Sequence, residues 1–471
     1  MQSILQEFIR TLQGKRVAVV GIGVSNTPLI ERLLEGGVSV LACDRREREQ
    51  FHGQIERWEA QGLEARLGAD YLDGLDGADV IFRTPGLRPD VPQLARAVER
   101  GAKLTSEMEA FLALCPCQVI AVTGSDGKTT TTTIIAGLLR DAGYRTFVGG
   151  NIGHPLLCEV DQIPPDAYVV LELSSFQLLT MRQSPNVAVI TNLSPNHLDV
   201  HRDMEEYVQA KRNIFAYQED QDRLVLNADQ PLTASFAQQA KGRVTLFSRQ
   251  RTLEGGVCLR DGMIFSGGRP VLAASDILLP GVHNLENYLA AIAAVEGLVS
   301  SQTIQDFARH FPGVEHRIEL VRERAGVRWY NDSIASSPTR TMAGLRCFST
   351  PVILLAGGYD KNLSYDALGP EIVNHVKVLI LTGQTADKIQ EATQNSPGYR
   401  PGRPEIVRCD TLEAAVARAN ELARPGDAVL LSPASASFDQ FENFAQRGRA
   451  FKDYVRALEP AEGGGARDGQ L

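Results

Sequence analysis

The sequence predicts an α/β chain of three domains: a Rossmann-like N-terminal domain over 1–107, a central P-loop-type domain over 108–313 and a C-terminal doubly wound α/β domain over 314–471. Three observations predict it. At roughly 150 residues per domain, a chain of 471 residues has material for about three cores. Short apolar runs alternate with amphipathic segments along most of the chain, the pattern of parallel sheets that bind ligands at the carboxyl ends of their strands. The stretch "VIAVTGSDGKTTTTTIIAGLL", 119–139, sets a Gly-rich loop with one lysine between a strand-like and a helix-like run.

In the first domain, "KRVAVVGIGVSN", "TPLIERLLEGG" and "VSVLACDRR" read strand and Gly loop, helix, strand. This is a mononucleotide-binding half, with Asp44 about 20 residues beyond the glycines, where a ribose-binding acid sits in dinucleotide enzymes. Two features weigh against a dehydrogenase: Asn26 replaces the third glycine of G-x-G-x-x-G, and Arg45 and Arg46 after the acid suit a different anion. "DVIFRTPGLRPDVPQLARA" then supplies a strand, a turn through Thr84, Pro85 and Gly86, and a helix.

In the central domain, Val119–Val122 reads as a short buried strand, and Ile134, Ile135, Leu138 and Leu139 make one apolar helical face. Gly124 and Gly127 let backbone N–H groups converge around Ser125 and Asp126, the helix N-terminus adds positive potential, and Lys128 adds a full charge. Such a nest suits phosphate oxygens, and the Thr129 hydroxyl can reach the magnesium ion that accompanies a nucleotide. The triphosphate of ATP or GTP is the expected guest, as in a P-loop-type ATPase domain, although Val122 stands where the full motif has its first glycine. The plainer alternative is a Gly-rich helix cap with Lys128 merely solvated.

Beyond the loop, "AYVVLELSS" and "NVAVITNLS" read as strands, and "MEEYVQAKRNIFAY" as a helix with Asp203 and Glu206 at capping-box spacing. "DRLVLNADQP", "RVTLFSRQ" and the run 255–281 add strands and turns, and "HNLENYLAAIAAVEGL" is a strongly periodic helix. In the third domain, "VRWYND", "PVILLAGGYD", "VKVLILTGQ" and "DAVLLSPASASFD" are strands separated by helices such as "TLEAAVARANELA". The Gly-rich tail from about 460 reads as disordered.

Composition narrows the function. A net charge of −9 argues against nucleic acid as a partner and provides no polybasic segment for a membrane. No run approaches 18 apolar residues and the N-terminus lacks a signal-peptide pattern, so a cytoplasmic protein is expected. Seven scattered cysteines, the closest being Cys115 and Cys117, read as reduced thiols.

Eight further motifs follow the phosphate loop in order: "GGNIGHPL" (149–156), "LELSSFQL" (171–178), "TNLSPNHLDVH" (191–201), "GVHNLENYLAAIAA" (281–294), "EHRIE" (315–319), "YNDS" (330–333), "AGGYDK" (356–361) and "LSPASASFDQFENFAQRGRAF" (431–451). Together they resemble the Mur ligases, ATP-dependent amide-forming enzymes of peptidoglycan precursor synthesis. The last segment most resembles members that add D-glutamate to UDP-N-acetylmuramoyl-L-alanine. The resemblance implies a monomer that uses ATP and Mg2+ and serves cell-wall biogenesis, cell shape and division. Its three domains would hold the UDP-sugar, ATP and the amino acid in turn.

The same resemblance implies residue roles. Gly124 to Thr130, the loop around Lys128, would hold ATP, with Asn284 and Asn287 at the adenine and Arg317 and Asp332 reaching the nucleotide from the third domain, which implies domain closure. Thr129, Glu172, His197 and a carbamylated Lys211 would hold magnesium; on residues alone, Glu172 is an ordinary strand-end acid, His197 a solvated histidine and Lys211 a surface lysine. Ser25, Asn26, Asp44, Arg45 or Arg46, Thr84, Pro85 and Gly86 would surround the uridine diphosphate, and Asn151 the muramoyl group. Ser336, Lys361, Ser437 and Phe444 would form the D-glutamate site, where a lysine and hydroxyl donors meet the needs of a dicarboxylate.

Two departures stand out. Asp126 replaces the family's usual asparagine beside the phosphate nest, and Ile334 replaces a lysine near the transferred phosphate, with Arg340 a candidate substitute. Rival readings are a Mur ligase for another amino acid, a folylpolyglutamate synthase and a nonhydrolysing nucleotide-binding module. The absence of a "DNPR" motif, the complete Rossmann-like domain, and the set Lys128, Glu172, His197 and Lys211 weigh against each in turn.

Overall fold

Strands such as Arg16–Val20, Gln118–Thr123 and Val352–Gly357 are apolar on both faces, so they belong in the middle of parallel sheets covered on both sides by helices. The computed structural model describes residues 3–194 and 200–458 and bears this out. His197 and the expected disordered tail lie outside the described residues.

The chain forms two compact units, 1–273 with 286–305 and 274–285 with 306–471. The first carries two sheets. One is parallel and five-stranded, in the order Glu64–Leu67, Ser39–Asp44, Arg16–Val20, Val80–Arg83, Lys103–Thr105. The other is nine-stranded, running Thr146–Gly150, Tyr168–Glu172, Gln118–Thr123, Val187–Ile190, Arg223–Asn227, Arg243–Ser248, Val257–Arg260, Met263–Ser266, Arg269–Ala273; only its last two pairings are antiparallel. The two sheets share one apolar core: Leu5, Ile9, Phe82 and Phe111 belong to the same cluster as Leu157, Val160 and Leu171. The Rossmann-like and central parts of this unit therefore pack against one another through this cluster.

The second unit holds a six-stranded sheet, Glu319–Arg324, Val327–Asn331, Ala428–Leu431, Val352–Gly357, Val376–Thr382, Glu405–Arg408, in which only the first pair is antiparallel. The three-domain α/β fold is therefore the one expected. Short edge strands such as Glu64–Leu67 and Glu405–Arg408 had no period-2 signal strong enough to read from sequence.

Candidate active site

The phosphate loop runs from the end of strand Gln118–Thr123 to helix Lys128–Asp141. Gly127 caps the helix at φ +78°, in the left-handed region where a side chain is strained, and a Cβ there would collide with the Asn287 carboxamide oxygen. A Cβ on Gly124 (φ +154°) would collide with the Thr191 hydroxyl. Glycine is thus favoured at both positions by conformation and by the close approach of a neighbouring side chain. The segment 191–194 pins the loop from outside: Ser125 N donates to Asn192 O (2.9 Å), Asp126 N to Asn192 Oδ1 (2.9 Å), and the Thr191 hydroxyl to Asp126 O (2.6 Å). Asp126 itself points to solvent. Thr131 Oγ1 donates to Asn287 Oδ1 (3.2 Å), which ties the loop's helix to helix Val282–Ala294. Thr129 is half-buried, and Thr130 is buried.

Two lysines converge on this loop. Lys128 Nζ donates to the carbonyls of Gly124 and Ser125, each at 3.0 Å, and Lys211 Nζ donates to Gly124 O (2.7 Å) and Thr123 Oγ1 (3.2 Å). Lys211 is 1% exposed, which corrects the surface reading its helix pattern suggests. Burial, followed by the Lys128 charge, pushes its amine well below the ordinary lysine range, against the pull of Asp126 and Glu172. Burial also corrects the solvent-facing reading of Glu172: it is 2% exposed, Asn151 Nδ2 donates to Oε1 (2.8 Å), and among the described residues Oε2 has no hydrogen-bond partner. A buried carboxylate oxygen left in this state is costly, and a cation ligand is the role it fits. Asn151, expected at the muramoyl group, is tied to Glu172 twice, because its N–H also donates to Glu172 O (2.8 Å).

The helix Met204–Arg212 that carries Lys211 is anchored unexpectedly. Asp203 caps it by accepting from Glu206 N (2.8 Å), but the reciprocal arm of a capping box is missing. The Glu206 carboxylate is instead held by Arg88 (2.7 and 2.9 Å) and by Arg202 N (2.9 Å). The Arg88 guanidinium holds the Glu206 carboxyl down to about 2. Tyr207 OH meets Ser125 Oγ at 2.8 Å, joining the same helix to the phosphate loop.

Around the first Gly loop, the candidates divide. Asn26 is buried and donates to Gly21 O (2.8 Å), and both Asp44 oxygens are occupied, by Ile22 N (2.7 Å) and by Arg46 N and its guanidinium (2.9 and 3.0 Å). These groups hold the loop's shape. Arg46 is committed to Asp44, so the exposed Arg45 is the cation left for an anionic ligand. Ser25 begins helix Asn26–Glu35 without a side-chain cap. The Thr84 side chain crowds Gly21, and Pro85 and Gly86 turn outward from it.

In the second unit, Asn284 is buried and donates to Pro280 O (2.7 Å). Asp332 accepts from Ser432 Oγ (2.8 Å) and is 4% exposed; burial pushes its carboxyl up to about 7, against Ser432 and the Arg317 charge. Lys361 is exposed, with Nζ 5.5 Å over the Phe438 ring. Ser437 is buried, Ser336 is half-buried and Phe444 is exposed. Ile334 is half-buried, whereas Arg340 is exposed and lies near enough to lower the Asp332 carboxyl.

Two arginines escaped the sequence reading. Arg83 is 1% exposed and donates to Thr84 O (3.2 Å), Pro85 O (3.0 Å) and Leu87 O, and from its other nitrogen to Phe176 O (3.1 Å) and Thr180 Oγ1 (3.2 Å). It both shapes the Thr-Pro-Gly turn and bolts it to the central domain. Arg447 donates to Ser333 O and Oγ and to the carbonyls of Ser435 and Ala436, shaping the loop before Ser437. A charged residue inside the apolar run "DVIFRT" was the available signal for Arg83; Arg447 offered none.

The comparisons with known proteins bear on these placements. Family models match residues 15–106 (Mur ligase MurD-like, N-terminal domain), 122–295 (Mur ligase middle domain) and 316–435 (Mur ligase, glutamate ligase domain). The chain is 53% identical over 466 residues to the UDP-N-acetylmuramoylalanine–D-glutamate ligase of Acetivibrio thermocellus, covering 98% of this chain and all of the relative. It is 49% identical over 465 residues to that of Ruminiclostridium cellulolyticum, again covering 98% of this chain and all of the relative. Among solved structures, UDP-N-acetylmuramate-alanine ligase MurC from Thermotoga maritima aligns with TM-score 0.55 at 18% identity, over 94% of this chain and all of that one. With models matching all three domains and near-complete alignment to relatives about half identical, the chain belongs to the Mur ligase family.

Proposed function

We propose that this protein joins D-glutamate to the alanine carboxylate of UDP-N-acetylmuramoyl-L-alanine, using ATP, in peptidoglycan precursor synthesis. The reading is carried by one observation: 53% identity along the whole chain to a ligase of that name, over a phosphate loop backed by a buried lysine and a half-partnered buried carboxylate. We assign the UDP-sugar to 1–107, ATP to 108–313 and D-glutamate to 314–471. A monomer in the cytoplasm is our working reading; among the described residues no helix is long and apolar enough to cross a membrane.

The reaction has two steps. The alanine carboxylate takes the γ-phosphoryl group of ATP to give an acyl phosphate, and the D-glutamate amine attacks that carbonyl, expelling phosphate. The first step brings two anions together, so cations must offset the developing charge. Lys128 supplies one by turning from the loop carbonyls toward phosphate oxygens, while the loop N–H groups hold the β-phosphate. When bound, magnesium neutralises phosphate charge; Thr129, Glu172, His197 and carbamylated Lys211 are the ligands we assign. An amine kept neutral by burial is the form that adds CO2, so the environment of Lys211 favours that modification. Asn284, Asn287, Arg317 and Asp332 are assigned to the nucleotide. Arg45, with Ser25, Asn26, Asp44 and Thr84–Gly86 as walls, is assigned to the uridine diphosphate, and Asn151 to the muramoyl end. Ser336, Lys361, Ser437 and Phe444 are assigned to D-glutamate.

The test is phosphate release from ATP with each amino acid in turn, with and without UDP-N-acetylmuramoyl-L-alanine. Release is expected only with D-glutamate and acceptor together. Equal release with L-alanine or a diamino acid would overturn the assignment.

A further inference from the structure

The one C-x-C pair of the sequence lies outside the residues assigned to the ligation. Cys115 caps the end of helix Glu107–Leu114, Cys117 immediately precedes strand Gln118–Thr123, and Pro116 alone separates them. Their sulfurs stand 3.7 Å apart, in van der Waals contact, and both residues are partly exposed. They open onto a cavity of about 300 Å³ lined also by Leu112, Pro165, Ser184 and Asn186. No other two of the seven cysteines meet among the described residues, and Cys43 and Cys258 are buried.

We propose that Cys115 and Cys117 form a dithiol modification site that low-molecular-weight disulfides close into an intrachain disulfide, on the link leading into the strand that carries the phosphate loop. The geometry carries it. A disulfide bond is about 2.05 Å long, so the sulfurs need approach by well under 2 Å, across a link of one residue on a partly open surface. Hydrogen bonding between the two thiols favours deprotonation of one of them, and their contact makes either sulfur able to resolve the other. The thiolate of the pair attacks one sulfur of the small disulfide, forming a mixed disulfide and releasing one thiolate. The second cysteine, deprotonated in turn, then attacks the protein sulfur of that mixed disulfide, forming the intrachain bond and releasing the second. The pair loses two electrons and two protons; the small disulfide gains both and leaves as two thiols.

The test uses the full chain in its native state, with oxidised glutathione as the probe. After exposure the protein is alkylated without reduction, digested and weighed by mass spectrometry. The peptide holding Cys115 and Cys117 is expected to be lighter by two hydrogens and to carry no alkyl group. Cys115→Ser and Cys117→Ser are each expected to retain one glutathione on the remaining sulfur. A wild-type peptide that is doubly alkylated, carries glutathione on both sulfurs, or is cross-linked to another cysteine overturns the proposal.

Discussion

Replacing Gly127 by alanine tests the phosphate loop where its geometry is most constrained. At φ +78° an added Cβ costs on the order of 1–2 kcal/mol. The same atom collides with Asn287 Oδ1, which must move and give up the 3.2 Å hydrogen bond from Thr131, for about 1 kcal/mol more. The sum, roughly 2–3 kcal/mol, falls on the loop and the start of its helix. If the loop relaxes to a right-handed conformation instead, its N–H groups no longer converge on one point. Loss of turnover on the order of a hundredfold or more is then expected, as for other lost charge-stabilising contacts. The assay pairs thermal unfolding with phosphate release at saturating D-glutamate and acceptor. Gly127→Ala/Asn287→Ala separates the two contributions: removing the carboxamide relieves the collision but leaves the strained φ, so the double variant should be about 1 kcal/mol more stable than additivity predicts. Wild-type stability and turnover in Gly127→Ala would refute the reasoning.

Other expectations use the same assays. Lys128→Ala should lose at least about a hundredfold in turnover, while stability falls by no more than about 1 kcal/mol for each of the two carbonyl hydrogen bonds it gives up; near-normal turnover removes it from the phosphate site. Lys211→Ala should be inactive and partly rescued by short carboxylic acids that fill the carbamate's place; full activity in bicarbonate-free buffer counts against carbamylation. Arg340→Ala should raise the Michaelis constant for D-glutamate or lower turnover while leaving UDP-sugar affinity unchanged, because a guanidinium grips a carboxylate or phosphate as isoleucine cannot; unchanged constants reject Arg340 as the substitute cation. Glu107 is buried against Leu157 N (3.0 Å) and its carboxyl is pushed up to about 7 by burial, so folding retains a proton between pH 4.5 and about 7 that the unfolded chain releases. Stability should therefore fall as pH rises across that window, by at most about 3.5 kcal/mol at ~1.4 kcal/mol per pH unit, and Glu107→Gln should remove this share of the slope while leaving that of Asp332, whose carboxyl burial likewise pushes up to about 7; pH profiles of equal slope would exclude the Glu107 carboxyl as a source.

Much of the fold was legible because its signals are local. Apolar runs such as Val17–Val20 and Val352–Ala356 announce buried parallel strands, and a lysine after glycines at a helix start announces a phosphate nest, since each effect acts within one turn or one strand. The ordered motifs from 149 to 451 carried the family. Edge strands were missed because a half-exposed run of four residues, even one that alternates as Glu64–Leu67 does, is too short to mark a strand.

What the sequence by itself determined, then, is the class of fold, the Gly-rich loop between strand Gln118–Thr123 and helix Lys128–Asp141, and the family. Tertiary structure alone decided which charges are spent on structure and which remain for ligands. Asp44 and Arg46 satisfy one another while Arg45 faces water. Arg83 is used up on the nearby carbonyls of Thr84, Pro85 and Leu87 and on that of Phe176, 93 residues away, and the amphipathic-looking helix at 204–212 turns Lys211 inward onto Gly124, 87 residues back. Desolvation and hydrogen-bond pairing depend on what the rest of the chain packs against a side chain, so burial of a charge is a property of the assembled core, which a local pattern hints at only where, as for Arg83, the charge sits inside an apolar run.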